Sequence, residues 1–276
     1  MVTYTIDLPT ALAQAAQHES ERTGRSLDAI VTEALSRHLD ITVHTLFQVS
    51  TSGALVAGVF DGEVSVGSIL DHGDFGLGTF ADLDGEMVVL DGEVYQVKGD
   101  GRVLVAGAMA QAPFAIVTRF SPDDDVTIEA VADLAGLERA CDAYRRSGNI
   151  FYAVRLDGTF KTIRTRAVNP PKPGTRLVDA AKSQSEFSFD NIDGTLVGLW
   201  SPGFSSAFSV AGYHFHFLSA DRQHGGHLLD AAADGLRLRV EALTDFHLAL
   251  PASETFLKAD LSKNTAEELA YAEQAH

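Results

Sequence analysis

The chain is short of several things, and each shortage excludes a class of function. It has one cysteine in 276 residues, Cys141. No internal disulfide can form, and a thiolate-rich metal centre is excluded. Its 21 basic residues face 38 acidic ones, a net charge of −17. So sparse a supply of Lys and Arg disfavours nucleic acid as the main partner, because phosphate binding needs a basic footprint. No apolar run reaches eighteen residues, so no membrane span is expected. The stretch Met1–Asp7 lacks the basic and apolar regions of a secretory signal, and the expected compartment is the cytoplasm. A glycine-rich dinucleotide fingerprint, an evident nucleophile elbow and any internal repeat are also missing.

What remains is globular in balance, with 45% hydrophobic and 21% charged residues. The length exceeds the roughly 150 residues of a typical domain. The composition and texture predict an α+β protein rich in strand, with a small N-terminal appendage over 1–42.

In the appendage, Val2, Tyr4, Ile6 and Leu8 alternate with polar residues, which predicts a short strand ended by Pro9. A helix is expected from Thr10 to Thr23, with Gly24 as its C-terminal cap. Ser26 is a good N-cap for a second helix, and Asp28 lies in its first turn. Leu27, Ile30, Val31, Ala34, Leu35 and Leu39 trace one apolar stripe on that helix. Strand, helix, Gly-Arg-Ser turn and helix together resemble the ribbon-helix-helix module of small bacterial repressors. That resemblance implies strand pairing between two chains and outward strand residues that read DNA. Here those positions are Thr3, Thr5 and Asp7, with no Lys or Arg among them. Forty residues bury too little surface to be stable alone, so a dimerising role is expected rather than DNA reading.

From Thr45 onward, short apolar runs punctuated by glycine predict many strands. Glu86–Leu90 and Glu93–Val97 flank Asp91-Gly92, a strong hairpin signal. The two-residue turn sets Glu86 opposite Val97, on the face of Val88, Leu90 and Tyr95, where a carboxylate needs a partner or a metal. Residues 126–147 are expected to be helical, with Val131, Leu134, Leu137 and Cys141 inward and Cys141 a small buried hydrophobe. Pro170–Gly174 is the clearest linker candidate. Thr265 and Glu268 form a capping-box pattern for a final helix. Leu269 and Glu273 share a face of that helix, so a Leu269 docked inward carries Glu273 with it.

The densest chemistry lies in Tyr213-His214-Phe215-His216-Phe217 and the following Asp221–His227. Four histidines fall within fourteen residues. On a strand, His214 and His216 point to one face and Phe215 and Phe217 to the other. The glycines at 225 and 226 allow the chain to bring His224 or His227 back over the pair. Such a set suits zinc, iron, copper or nickel, with a carboxylate completing the shell.

Several longer stretches point the same way. They are Thr45-Leu46-Phe47-Gln48 with Ser50-Thr51, His72 through Phe80, Leu83-Asp84-Gly85-Glu86-Met87 with Leu90-Asp91-Gly92, and Pro113-Phe114-Ala115. Gly158-Thr159-Phe160 with Thr165-Arg166, and Gly212 through Phe217 with Gly225-Gly226-His227, complete the set. In this order, across about 230 residues, the chain from Thr45 onward resembles the alpha-acetolactate decarboxylases. The resemblance implies two β-rich domains with mixed sheets, 43–160 and 161–276, and Zn2+ held by His214, His216 and His227, with His224 left as a loop residue. It implies two glutamates, mapped to Glu86 and to Glu273, with Glu267 and Glu268 as rivals. It also implies an arginine, mapped to Arg166 with Arg164 as the alternative. Thr79 is a further candidate for bonding the substrate.

The implied reaction is decarboxylation of 2-acetolactate to acetoin by a cytoplasmic, dimeric carboxy-lyase. Loss of carbon dioxide leaves an electron pair that the neighbouring ketone can accept, and a zinc ion stabilises the resulting enediolate as a Lewis acid. An arginine fork orients the carboxylate, and Glu86, Glu273 or a held water returns the proton. Two other functions are weighed against it: a metal-binding transcriptional regulator acting through residues 1–40, and a different metal-dependent lyase on the same scaffold.

Overall fold

The computed structural model describes residues 5–39, 43–172, 174–181, 184–263, 265 and 267–269. The chain divides into two compact units, Met1–Val43 and His44–His276.

In the first unit, helices run over Thr10–Thr23 and Leu27–Leu39. Gly24 ends the first in a left-handed conformation, φ 72°, its N–H returning to the Ser20 carbonyl, as a glycine cap should. The Ser26 hydroxyl accepts the Ala29 N–H at 3.2 Å and starts the second. Residues 5–9 form no strand, and the rest of the expected strand lies outside the described residues. No residue of either helix is buried, and Leu12, Leu27, Val31, Leu35 and Leu39 stay exposed.

The second unit is dominated by two sheets. In the first, the strand order is Asp245–Ala249, Thr45–Val49, Phe114–Thr118, Phe75–Thr79, Glu86–Leu90, Glu93–Val97 and Val103–Val105. Its first pair is parallel and the other pairs are antiparallel. The central strands are buried on both faces, which is why they read as continuous apolar runs rather than alternating ones. The Asp91-Gly92 turn forms as expected, with φ of 53° and 80° at its two residues, the positive values that a type I′ hairpin requires. It pairs Glu86 with Val97.

The second sheet holds Ser185–Ser201, Gly212–Ser219, Gly225–Ala233, Phe151–Ala167, Leu236–Leu243 and Asp124–Ile128. Phe151–Ala167 pairs along its length with Ser185–Ser201 and also with Gly225–Ala233. Four strands therefore close into a ring. Inside it pack Val154, Leu156, Phe160, Ile163, Leu196, Phe215 and Phe217. A second core joins the sheets, with Val88, Leu90, Tyr95, Val97 and Phe114 of one against Ala153, Ala167, Val197, Leu199 and Leu218 of the other.

The sheets divide elsewhere than the expected domain boundary, and one expected helix is shortened. The division between the sheets falls at 119–123, with Asp245–Ala249 returning to the first sheet. The boundary set near residue 160 lies instead within the seventeen-residue strand Phe151–Ala167. The helix expected over 126–147 covers only Leu134–Asp142. Val126, Thr127 and Ile128 are β-branched and pair as an edge strand with Leu236–Leu238, the packing such side chains favour. Asp133 then caps the shortened helix, accepting the Gly136 N–H at 2.7 Å. Cys141 is fully buried, and burial pushes its thiol up to about 12, so it is a packing residue as expected.

Candidate metal centre

The three histidines come together because of how two strands part. His216 pairs with His227, Phe217 with Gly226 and Leu218 with Gly225. Beyond that point Gly212–Phe215 pairs only with Ser185–Ser201, and Leu228–Ala233 pairs with Phe151–Ala167. Alternation along Gly212–Ser219 puts His214 and His216 on one face, and the cross-strand pairing supplies His227. One nitrogen from each of the three buried rings lies within 4.8 Å of the others. Gly226 makes this approach possible. Its φ is 129°, and a Cβ there would sit 2.5 Å from the Arg166 carbonyl oxygen.

The surroundings partly orient the rings and hold His214 neutral. The Met87 carbonyl accepts from Nδ1 of His216 at 2.8 Å. A carbonyl can only accept, so Nδ1 of His216 carries a proton, which leaves Nε2 as the nitrogen available to a metal. His214 Nε2 and His227 Nδ1 are 3.1 Å apart. Burial, reinforced by the positive charge of Arg166, pushes His214 down to about 3. A neutral imidazole is the form that ligates a metal. With no thiolate in reach, this nitrogen set fits a borderline divalent cation such as zinc.

The same buried chamber, about 50 Å³, is lined by Thr79, Glu86, Arg166 and the three histidines. Leu55, Leu83, Phe114, Leu177 and Leu269 supply its apolar wall. Glu86 comes from the first sheet. One of its oxygens accepts the Val168 N–H at 3.3 Å, and the other lies 3.7 Å from His216 Nε2. Arg166 stands opposite His227 in the strand register, is 4% exposed and donates to Gln184 Oε1 at 2.7 Å. Arg164 is instead set opposite Asp230 and pairs with Glu186 at 3.2 Å, with nearly half of its side chain in solvent. The Thr79 hydroxyl donates to the Gly85 carbonyl at 2.9 Å, so it holds the chain just before Glu86 and has only acceptor capacity left for the chamber. A larger cavity of about 700 Å³ occupies the fork where the strands part, and shares Val210, His214, His227 and Leu269 with the chamber.

Glu273 lies outside the described residues. Of its rivals, Glu267 is exposed, and Glu268 forms an ion pair with Arg176 rather than facing the chamber. Leu269 docks inward as expected and is 4% exposed. His224 stays in the turn, its ring against Phe189 at 4.6 Å, outside the metal group. The Met87 carbonyl, the Val168 N–H and Ser52 are site groups with no mark in the sequence. Only the sheet-on-sheet packing brings them there.

Comparison with known proteins points to one family. The family described as Alpha-acetolactate decarboxylase matches residues 46–263. The chain is 43% identical to the alpha-acetolactate decarboxylase of Methanosarcina mazei over 225 residues, 81% of this chain and 78% of that one. It is 37% identical to the Bacillus subtilis protein of the same name over 231 residues, 83% of this chain and 91% of that one. The crystal structure of the latter from strain 168 superposes with a TM-score of 0.81 at 36% identity, covering 84% of this chain and all of that one.

Proposed function

The chain belongs to the alpha-acetolactate decarboxylase family of carboxy-lyases, and from that premise we propose that it converts 2-acetolactate to acetoin and carbon dioxide at a zinc ion held by His214, His216 and His227. One observation carries the proposal: a buried chamber unites the histidines with one guanidinium and one carboxylate. A bound divalent ion would supply Lewis acidity, drawing off the electron pair that decarboxylation leaves behind.

The protein groups do the rest. Arg166 binds the substrate carboxylate through its planar fork, and its burial strengthens that charge-assisted contact. The leucine and phenylalanine wall excludes water from the reacting carbon and takes the substrate methyl groups. Glu86, fixed through the Val168 N–H, takes up a proton from solvent and passes it to the carbon that loses carbon dioxide, so the proton consumed by the reaction comes from water. Thr79 keeps the backbone before Glu86 in place. Glu273 is proposed to close the chamber from the tail. This function is favoured over a metal-responsive regulator because the family match covers the chain that forms the chamber.

Metal analysis joined to an acetoin colour assay tests the proposal. Purified protein should contain about one zinc per chain, lose acetoin formation on chelation and regain it with added zinc. Metal-loaded protein that releases no acetoin above the spontaneous background would refute it.

A further inference from the structure

Ser52 lines the chamber alongside Glu86, Arg166 and the histidines. It is 1% exposed, and its hydroxyl has no hydrogen-bond partner among the described residues. Among other buried hydroxyls, Ser205 donates to the Pro202 carbonyl at 2.7 Å and Thr165 to the Gly225 carbonyl at 2.9 Å; those of Thr118 and Ser209 also lack a partner among the described residues, but neither residue lines the chamber.

Local structure gives the Ser52 hydroxyl nothing to do. Ser52 opens the short helix Ser52–Val56, but the cap is Thr51, whose side chain accepts the Ala54 N–H at 3.2 Å. The Ser52 backbone is pinned, its N–H donating to the Phe208 carbonyl at 3.0 Å. Gln48 Nε2 donates to the same carbonyl at 2.7 Å. That carbonyl lies six residues before His214, so Ser52 is tied to the segment leading into the metal strand. A buried hydroxyl without a partner carries a desolvation cost and returns nothing. Alanine at this position would suit the helix better. The hydroxyl is therefore useful only when something else enters the chamber.

We infer that Ser52 is a substrate-positioning residue, hydrogen-bonding an oxygen of the bound 2-hydroxy-3-keto acid. This rests on the proposed decarboxylation, since that reaction places an oxygen-rich anion in the chamber. It predicts an unusual pairing of signs: removing the hydroxyl should weaken substrate binding without loosening the protein.

The test compares S52A with the wild type by steady-state kinetics on acetolactate and by thermal unfolding of the zinc-loaded, substrate-free proteins. KM should rise about five- to twentyfold, as for loss of one hydrogen bond to a polar or charged group, with kcat changed far less. The unfolding midpoint should stay level or rise. A KM within twofold of wild type, with the wild type active, would overturn the role of Ser52 alone. A fall of several degrees in the midpoint would also overturn it, by showing that the hydroxyl holds a structural water. Wild-type protein inactive on acetolactate would remove the decarboxylase function and this assignment with it.

Discussion

Arg164 and Arg166 show how residue-scale chemistry is decided by position along a strand. Both are arginines on Phe151–Ala167, two apart, yet one is buried opposite His227 and the other reaches solvent with Glu186. R166K keeps the charge but loses the fork, and should lower kcat/KM for acetolactate by about 10–100-fold. R164A should leave turnover near wild type. Equal losses in the two variants, measured side by side, would contradict the assignment of the carboxylate to Arg166. At this scale the sequence was informative where chemistry is carried by residue type and spacing. His214 and His216 were readable as a pair on one strand face, with His224 or His227 as the third until the resemblance pointed to His227, and Glu86 stood out as a carboxylate on an apolar face. What was not readable are the backbone groups that orient them. The Met87 carbonyl that fixes the His216 tautomer comes from the other sheet, 129 residues away, and a carbonyl leaves no signature in residue identity.

Elements were legible in proportion to how local their causes are. The hairpin at Asp91-Gly92 and the capped helix Thr10–Thr23 are dictated by neighbouring residues, and both appear at the expected positions. The stretch 126–133 went the other way because strand pairing with Leu236–Leu243 outweighed its apolar spacing, a tertiary preference that no local window contains. Glycine 226 belongs to this scale as well, since it lets one strand pass close to the next. G226A would press a methyl group on the Arg166 carbonyl while demanding φ near 129°. The expected cost is about 1–3 kcal/mol of stability. Because His227 is the next residue, zinc content by elemental analysis should fall together with the melting temperature. A variant of normal stability and full zinc occupancy would show that the close approach is not needed.

At the scale of the whole molecule, the family match begins at residue 46, so the segment before it has its own explanation to supply. Its two helices bury no residue and leave Leu12, Leu27, Val31, Leu35 and Leu39 exposed, an apolar stripe of the kind that seeks a partner. We propose that residues 1–42 serve self-association rather than DNA reading, in keeping with a net charge of −17. Removing residues 1–43 should leave zinc content and turnover nearly intact and shift the protein to a smaller species in sedimentation. A truncated protein of unchanged oligomeric state would end that role. The membership of the two sheets was the least legible feature, because they are built from strands that the sequence separates widely. Thr45–Val49 pairs with Phe114–Thr118 on one side and in parallel with Asp245–Ala249 on the other, so the strand that begins the catalytic unit gains its second neighbour only about 200 residues later. During synthesis, at about 5–20 residues per second, roughly ten to forty seconds separate the two strands as they leave the ribosome. Until then one side of Thr45–Val49 lacks its partner strand, and an unpaired edge of this kind is the feature that invites wrong pairing in a growing chain.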